Sequence, residues 1–187
     1  RRFMDMAISQ HDKEYLAHLI NYDKALQQRN ALLKMEEEPD AELLGLWEEM
    51  MAQAGTIIYE RRKAFIESLI PIFQQFYKEI AGNSEDVSLS YRSNLSDYSL
   101  AELLAASRFD DRRVGYTTKG VHKDELVMQL NGYPIKKEGS QGQNKSYLVS
   151  LKLAQFDFLR RKGGETPILL LILVRFPADG KAVQSIY

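Results

Sequence analysis

The residues best equipped for chemistry lie in the stretch GSQGQNKSYLVSLKLAQ, where Ser140, Gln141, Gly142 and Gln143 precede a helical pattern and Lys145 follows closely. A hydroxyl, a small residue and amides at the head of a helix are the parts of an anion site. The first N–H groups of a helix have no intrahelical partner and carry partial positive charge. Lys145 adds a nearby cation. Farther on, TPILLLILV reads as a fully buried strand, so turn, helix and strand follow one another as they do where phosphates are handled. The plain alternative is a helix cap, but a cap alone explains neither the glycine nor the two glutamines. No G-x-x-x-x-G-K-[ST] string, whose backbone amides and lysine would cradle phosphates, occurs in the chain.

Other side chains allow weaker readings. Arg61, Arg62 and Lys63 could touch a phosphate backbone, or form the solvated face of a long helix. Arg112 and Arg113 stand beside Asp110 and Asp111, so local ion pairing competes with a DNA contact. His122 and Lys123, with Asp124 and Glu125, follow Gly120 in a loop that faces a ligand or partner, or is simply a charged turn. Gln28, Arg29 and Asn30 interrupt an apolar seam and read as a polar group that fixes helix register or bonds a neighbouring lobe. With no cysteine and only His11, His18 and His122 as histidines, disulfide frameworks, thiolate metal sites and histidine-rich metal sites are excluded. No metal site is expected.

The elements that must position these residues are legible in the periodicity. From about Ser9 to Lys34 the pattern is helical, with Tyr15, Leu19, Tyr22, Leu26 and Leu33 on one seam and a cap-like start at Ser9. EEEPD breaks it. A second run from about Ala41 to Ile80 carries Leu43, Trp47, Met50, Ala54, Ile58, Phe65, Leu69, Ile72, Phe76 and Ile80, with a kink or break expected near Pro71. Two long helices joined by a short acidic turn form an antiparallel hairpin. VSLSYRS then alternates as a half-buried strand, DYSLAELLAASRFDDRR is a short helix, and Asn131-Gly132 inside ELVMQLNGYPI signals a hairpin. Tyr147, Leu151, Ala154 and Phe158 give the following helix a buried stripe beginning just beyond the Ser140–Gln143 turn.

At 187 residues, 44% apolar, 27% charged and with a formal net charge of -1, the chain has an ordinary soluble composition and no global pull toward nucleic acid or membrane. Its longest apolar run, PILLLILV, is strand-sized, and RRFMDMAISQ lacks the apolar stretch of a signal peptide. A cytoplasmic location without membrane contact is expected. The opening RRFMD without initiator methionine and the close soon after the last strand pattern read as a piece of a longer protein.

RRFMD, YDKALQQRNALLK, the tryptophan followed by RRKAFI, YTTKGVHKDEL, SQGQNKSYLVSLKLAQ and TPILLL occur in the order in which the RecF family of bacterial recombination and repair proteins carries closely similar strings. The resemblance covers nearly the whole chain. It implies the head of an SMC-like ATPase of the ABC class, with a helical insertion in place of a long coiled coil. The fold expected is α/β, α+β within this piece: a helical arm over residues 1–82, then residues 83–187 as the C-terminal half of an ABC-type head. It further implies ATP with Mg²⁺ in the parent protein, none bound to this piece alone, and an ATP-dependent homodimer. The implied ligand is gapped or single-strand/double-strand junction DNA. RecO and RecR are the implied partners, with loading of RecA and the SOS response as the outcome. In such heads Ser140, Gln141, Gly142, Gln143 and Lys145 correspond to the signature turn, which meets the γ-phosphate of ATP held by the other subunit.

The phosphate-cradling loop lies upstream in the family. Where the family places two acids after the strand, this sequence has Ile172 and Leu173, so no catalytic residue is assigned in this chain and it should not hydrolyse ATP. Asp179 is the counterpart of the family's D-loop aspartate, although VRFPADGKAV departs from the pattern around it. The competing reading is a non-enzymatic interaction module, a helical hairpin on an α/β base that works without nucleotide.

Overall fold

A computed structural model describes residues 1–162 of the chain. Its first elements are three helices: α1 Arg2–Ser9, α2 Lys13–Leu33 and α3 Ala41–Ala81. Ser9 therefore closes α1 and does not cap α2. RRFMDMAIS has a helical stripe of its own, Met4, Ala7 and Ile8, all buried. The cap of α2 is Asp12, whose side chain accepts a hydrogen bond from the Tyr15 N–H at 2.9 Å. Asp40 does the same for α3, accepting from Glu42 and Leu43.

α3 runs unbroken for 41 residues with Pro71 inside it, contrary to the break expected there. Pro71 is exposed, so the Glu67 carbonyl that loses its N–H partner can be hydrated. The inward stripe of α3 follows the sequence reading at Ala54, Ile58, Phe65 and Leu69 and departs from it in the first turns and at the end. Leu44, Glu48, Met51, Gly55, Ile58, Arg62, Phe65 and Leu69 are buried, whereas Leu43 and Ile80 are 42% and 43% exposed and Trp47 and Met50 are only partly covered. Two of the inward positions are charged, and a seam drawn through apolar letters alone slips by one residue to avoid Glu48.

Beyond Gly82 the chain forms a small antiparallel sheet. β1 Val87–Arg92 pairs with β2 Glu125–Leu130 in the register Val87↔Leu130 to Arg92↔Glu125, and β2 pairs with β3 Tyr133–Pro134. Asn131 and Gly132 join the last two with φ of 51° and 82°, the two positive values a two-residue hairpin loop of this kind requires. Between β1 and β2 lies α4 Leu100–Val114, opened by a reciprocal Ser99–Glu102 capping box and closed by Gly115 in the left-handed region. After β3 come α5 Ile135–Glu138 and the 22-residue α6 Gln141–Lys162.

The expected stripe of α6 is buried, and it lies on α3: the Phe73 and Tyr147 ring centroids are 4.7 Å apart and those of Phe65 and Phe158 4.8 Å. One apolar cluster runs from Met4 through Ile58 and Leu104 to Leu159, so residues on both sides of position 82 share a core. No helix among the described residues is long and apolar enough to cross a membrane. The TPILLLILV stretch with Ile172 and Leu173, and Asp179, lie outside the described residues.

Candidate anion-binding turn and two buried polar clasps

The turn at the head of α6 is built by its own side chains. Ser140 Oγ accepts a hydrogen bond from the Gln143 N–H at 3.2 Å, and Gln143 Oε1 accepts from the Ser140 N–H at 2.7 Å. This is a capping box, S-x-x-Q, so the helix begins at Gln141, inside the turn and not beyond it. Asn144 braces the approach by donating to the carbonyls of Gly139 and Ser140. A Cβ on Gly139 would meet the Ile135 carbonyl at 2.6 Å, so that glycine is required by close backbone approach. Gly142 differs. A Cβ there would meet only Ser140 Oγ, at 3.9 Å, and neither packing nor backbone conformation requires a glycine in this exposed first turn. Ser140, Gln141, Gly142 and Lys145 face outward, and Gln143 is half-buried.

Elsewhere in the fold, two buried arginines tie α2 and α3 to the elements that follow them. Arg29 of α2 is fully buried and donates to Glu48 of α3, to Asp111 of α4 at 2.8 Å and to the Thr117 hydroxyl at 2.8 Å. Burial works against the Asp111 carboxylate, but hydrogen bonds from Thr118, Ser107 and Arg29 outweigh it and hold its pKa below the ordinary value. Arg62 of α3 donates to Asp5 and Tyr15 on one side, and to the Val121 carbonyl and Asp124 on the other. Burial opposes its charge, yet Tyr15 and Asp5 more than offset this and raise its pKa, so it stays a cation. Asp124 is pushed above the usual carboxylate range by burial, and its Oδ1 has no hydrogen-bond partner among the described residues.

These clasps fix the Thr117–Asp124 loop. Asn30 accepts from both the N–H and the hydroxyl of Thr117. His122 Nε2 lies 3.0 Å from the Thr117 carbonyl and must donate to it; Nδ1 then accepts from the Tyr22 hydroxyl at 2.8 Å. Burial lowers the His122 pKa to about 4, so the ring is neutral near pH 7.

The residues considered for DNA contact are not gathered in one place. Arg61 is exposed and pairs with Asp12 and Glu14, and Lys63 is exposed on the same helix. Arg62 does not face solvent: its guanidinium is fully engaged inside the fold. Arg112 does not pair with its acidic neighbours. It donates to the carbonyls of Leu32, Leu33, Glu36 and Glu37 and so caps the C-terminal end of α2, while Arg113 pairs with Asp110 at 3.2 Å. His122 is half-buried with both ring nitrogens engaged, and Lys123 is exposed, its ammonium 5.1 Å from the Tyr116 ring centroid. Of the polar trio in α2, Gln28 is exposed, Arg29 buried and Asn30 half-buried. The role of Arg62 was open to a sequence signal: Ile58, Arg62, Phe65 and Leu69 follow one another at spacings of four, three and four on the buried stripe. Among the described residues no grouping of three or more His, Cys, Asp or Glu side chains could hold a metal ion.

Comparison with known proteins places this geometry. No family model matches the chain. It is 58% identical over 186 residues to the DNA replication and repair protein RecF of Bacteroides thetaiotaomicron, covering 100% of this chain and 50% of that protein. It is 58% identical over 187 residues to RecF of Phocaeicola vulgatus, with the same coverage. RecF of Porphyromonas gingivalis is 48% identical over 187 residues, 100% of this chain and 51% of that protein. The chain thus spans about half the length of the curated relatives it matches. A solved structure of the recombination mediator protein RecF-ATP in the RecFOR pathway superposes with a TM-score of 0.83 at 32% identity, over 91% of this chain and 48% of that one.

Proposed function

Because the chain belongs to the RecF family, we propose that it is the arm, residues 1–82, and the C-terminal part of the head, residues 83–187, of an ATP-switched DNA replication and repair protein. The observation that carries the reading is Gly142. An exposed glycine in a helix costs about 1 kcal/mol relative to alanine, and nothing in the fold requires it. A ligand that must approach the backbone does.

In this reading Ser140 offers its hydroxyl proton, the N–H groups of Gln141 and Gly142 at the head of α6 offer their hydrogens, and Lys145 supplies positive charge to the γ-phosphate of ATP carried by a second subunit. The turn thereby closes an ATP-dependent homodimer. Mg²⁺ accompanies the nucleotide in the whole protein and neutralises phosphate charge; this chain alone holds neither. Closure presents gapped or single-strand/double-strand junction DNA to RecO and RecR, in support of RecA loading and the SOS response. Arg61, Lys63, Arg113 and Lys123 are the outward cations available for the DNA backbone. With Ile172 and Leu173 in place of an acidic pair, the chain brings to those two positions no carboxylate that could bind the metal or polarise water.

The test is the mass of the whole protein in solution with and without ATP. A doubling that Ser140→Arg abolishes is expected. A mass indifferent to nucleotide would leave the second reading, an interaction module that works without ATP, which the Ile172-Leu173 pair favours.

A further inference from the structure

Glu85 lies in the short connection between the end of α3 and β1, and its carboxylate joins two elements that are far apart in sequence. Its Oε2 accepts a hydrogen bond from the Tyr77 hydroxyl of α3 at 2.5 Å, and its Oε1 accepts from Gln143 Nε2 of α6 at 2.6 Å. We infer that Glu85 is a positioning residue that sets the Ser140–Gln143 turn for its ligand and ties that turn to the end of the long arm helix. The inference rests on the nucleotide reading of the turn given above.

The geometry leaves the Gln143 amide no freedom. Its oxygen accepts from the Ser140 N–H and its nitrogen donates to Glu85, so one rotamer is held from both ends. With Gln143 fixed, its backbone N–H is directed to Ser140 Oγ, and that hydroxyl keeps its own proton for an outside acceptor. Side-chain order that would otherwise be lost on binding is settled beforehand, and preorganisation of this kind is gained as affinity. The acceptor is ionised: both donors lower the Glu85 pKa, Tyr77 more than Gln143, so the two bonds are charge-assisted near pH 7.

The other end of the tie is rigid. Tyr77 is 1% exposed and packs against both Phe73 and Tyr147, with ring centroids 6.2 and 6.0 Å away. Tyr147, in the second turn of α6, donates its hydroxyl to the Ser88 carbonyl of β1 at 2.7 Å. The first turns of α6 are therefore bolted to α3 and β1 through buried rings, and Glu85 is the partly exposed link that reaches the turn itself. A displacement of Gln143 on ligand arrival is felt at Tyr77 through one carboxylate.

The experiment is an ATP titration of dimer formation by light scattering, on the whole protein and on Glu85→Ala, Tyr77→Phe and the double variant, with Ser140→Arg as reference. Glu85→Ala should raise the ATP concentration at half-dimerisation about tenfold, with the protein still folded and its thermal midpoint without nucleotide lowered by no more than about 5 °C. Tyr77→Phe should give a smaller shift in the same direction and none in the Glu85→Ala background, because the two act through one carboxylate. An unchanged midpoint concentration for Glu85→Ala, with Ser140→Arg still abolishing the dimer, overturns the inference and leaves the nucleotide reading standing. Additive shifts overturn the link to α3. A wild-type protein indifferent to ATP overturns both readings together.

Discussion

At the scale of single residues, the molecule depends on charges placed where apolar side chains would be expected. Arg29 is fully buried with Glu48, Asp111 and Thr117 around it, and such a group is worth most by the cost of removing one member. Arg29→Ala would leave Asp111 buried without its cation, and urea unfolding should show a loss of about 3–5 kcal/mol, a large share of the roughly 5–15 kcal/mol that holds an ordinary domain together. His122 sets a pH dependence whose sign follows from its environment. Its folded pKa, about 4, lies below the ordinary value of 6.5, so between those limits the unfolded chain binds the proton that the folded chain refuses. Stability attributable to His122 is therefore complete above about pH 6.5 and is lost as the pH falls toward 4. Thermal midpoints measured from pH 7.5 to 4.5 should fall less for His122→Gln than for the wild type.

At the scale of elements, the α3 surface shows where local preference yields to packing. Gly55 sits mid-helix, and alanine there would gain about 1 kcal/mol of helix propensity. The added Cβ, however, would stand 2.4 Å from Leu100 Cδ2 and 3.2 Å from the Tyr22 ring, both buried. Overpacking of this kind costs about 1–3 kcal/mol, so Gly55→Ala should lower stability in chemical denaturation, opposite to the sign that propensity gives. The elements themselves were largely legible: the helical hairpin, the alternating β1, the Asn131-Gly132 turn and the stripe of α6 follow from period and turn chemistry. What could not be read was the inward face at the start of α3, where Glu48 turns in and Trp47 is only partly covered, or what holds Glu48 and Arg62 inside: their partners Arg108, Asp124 and Asp5 are distant in sequence and invisible to any local window. Likewise, the turn at Ser140 announced both a cap and a ligand. The sequence could not say that Glu85 holds it, because a lone glutamate in a connection carries no pattern.

At the scale of the whole molecule, the helices before Gly82 and the elements after it share one apolar cluster and two arginine clasps, with α3 packed on both α4 and α6. The two parts should therefore unfold together. Thermal melts followed by far-ultraviolet circular dichroism and by Trp47 fluorescence, Trp47 lying in the arm, are expected to coincide, and two separated transitions would show the clasps to be weak. The clasps also impose an order in time on the making of the protein. Arg29 meets its first acid, Glu48, 19 residues later in the chain, and its second, Asp111, 82 residues later. At a synthesis rate of roughly 5–20 residues per second, the interval before Asp111 emerges is on the order of ten seconds. Throughout it the nascent hairpin holds a cation that Glu48 alone must neutralise, and Glu48 is later shared with Arg108. If the hairpin docks before Asp111 emerges, Glu48 is the acid that meets Arg29 in it, and Glu48→Ala should lower the yield of folded protein.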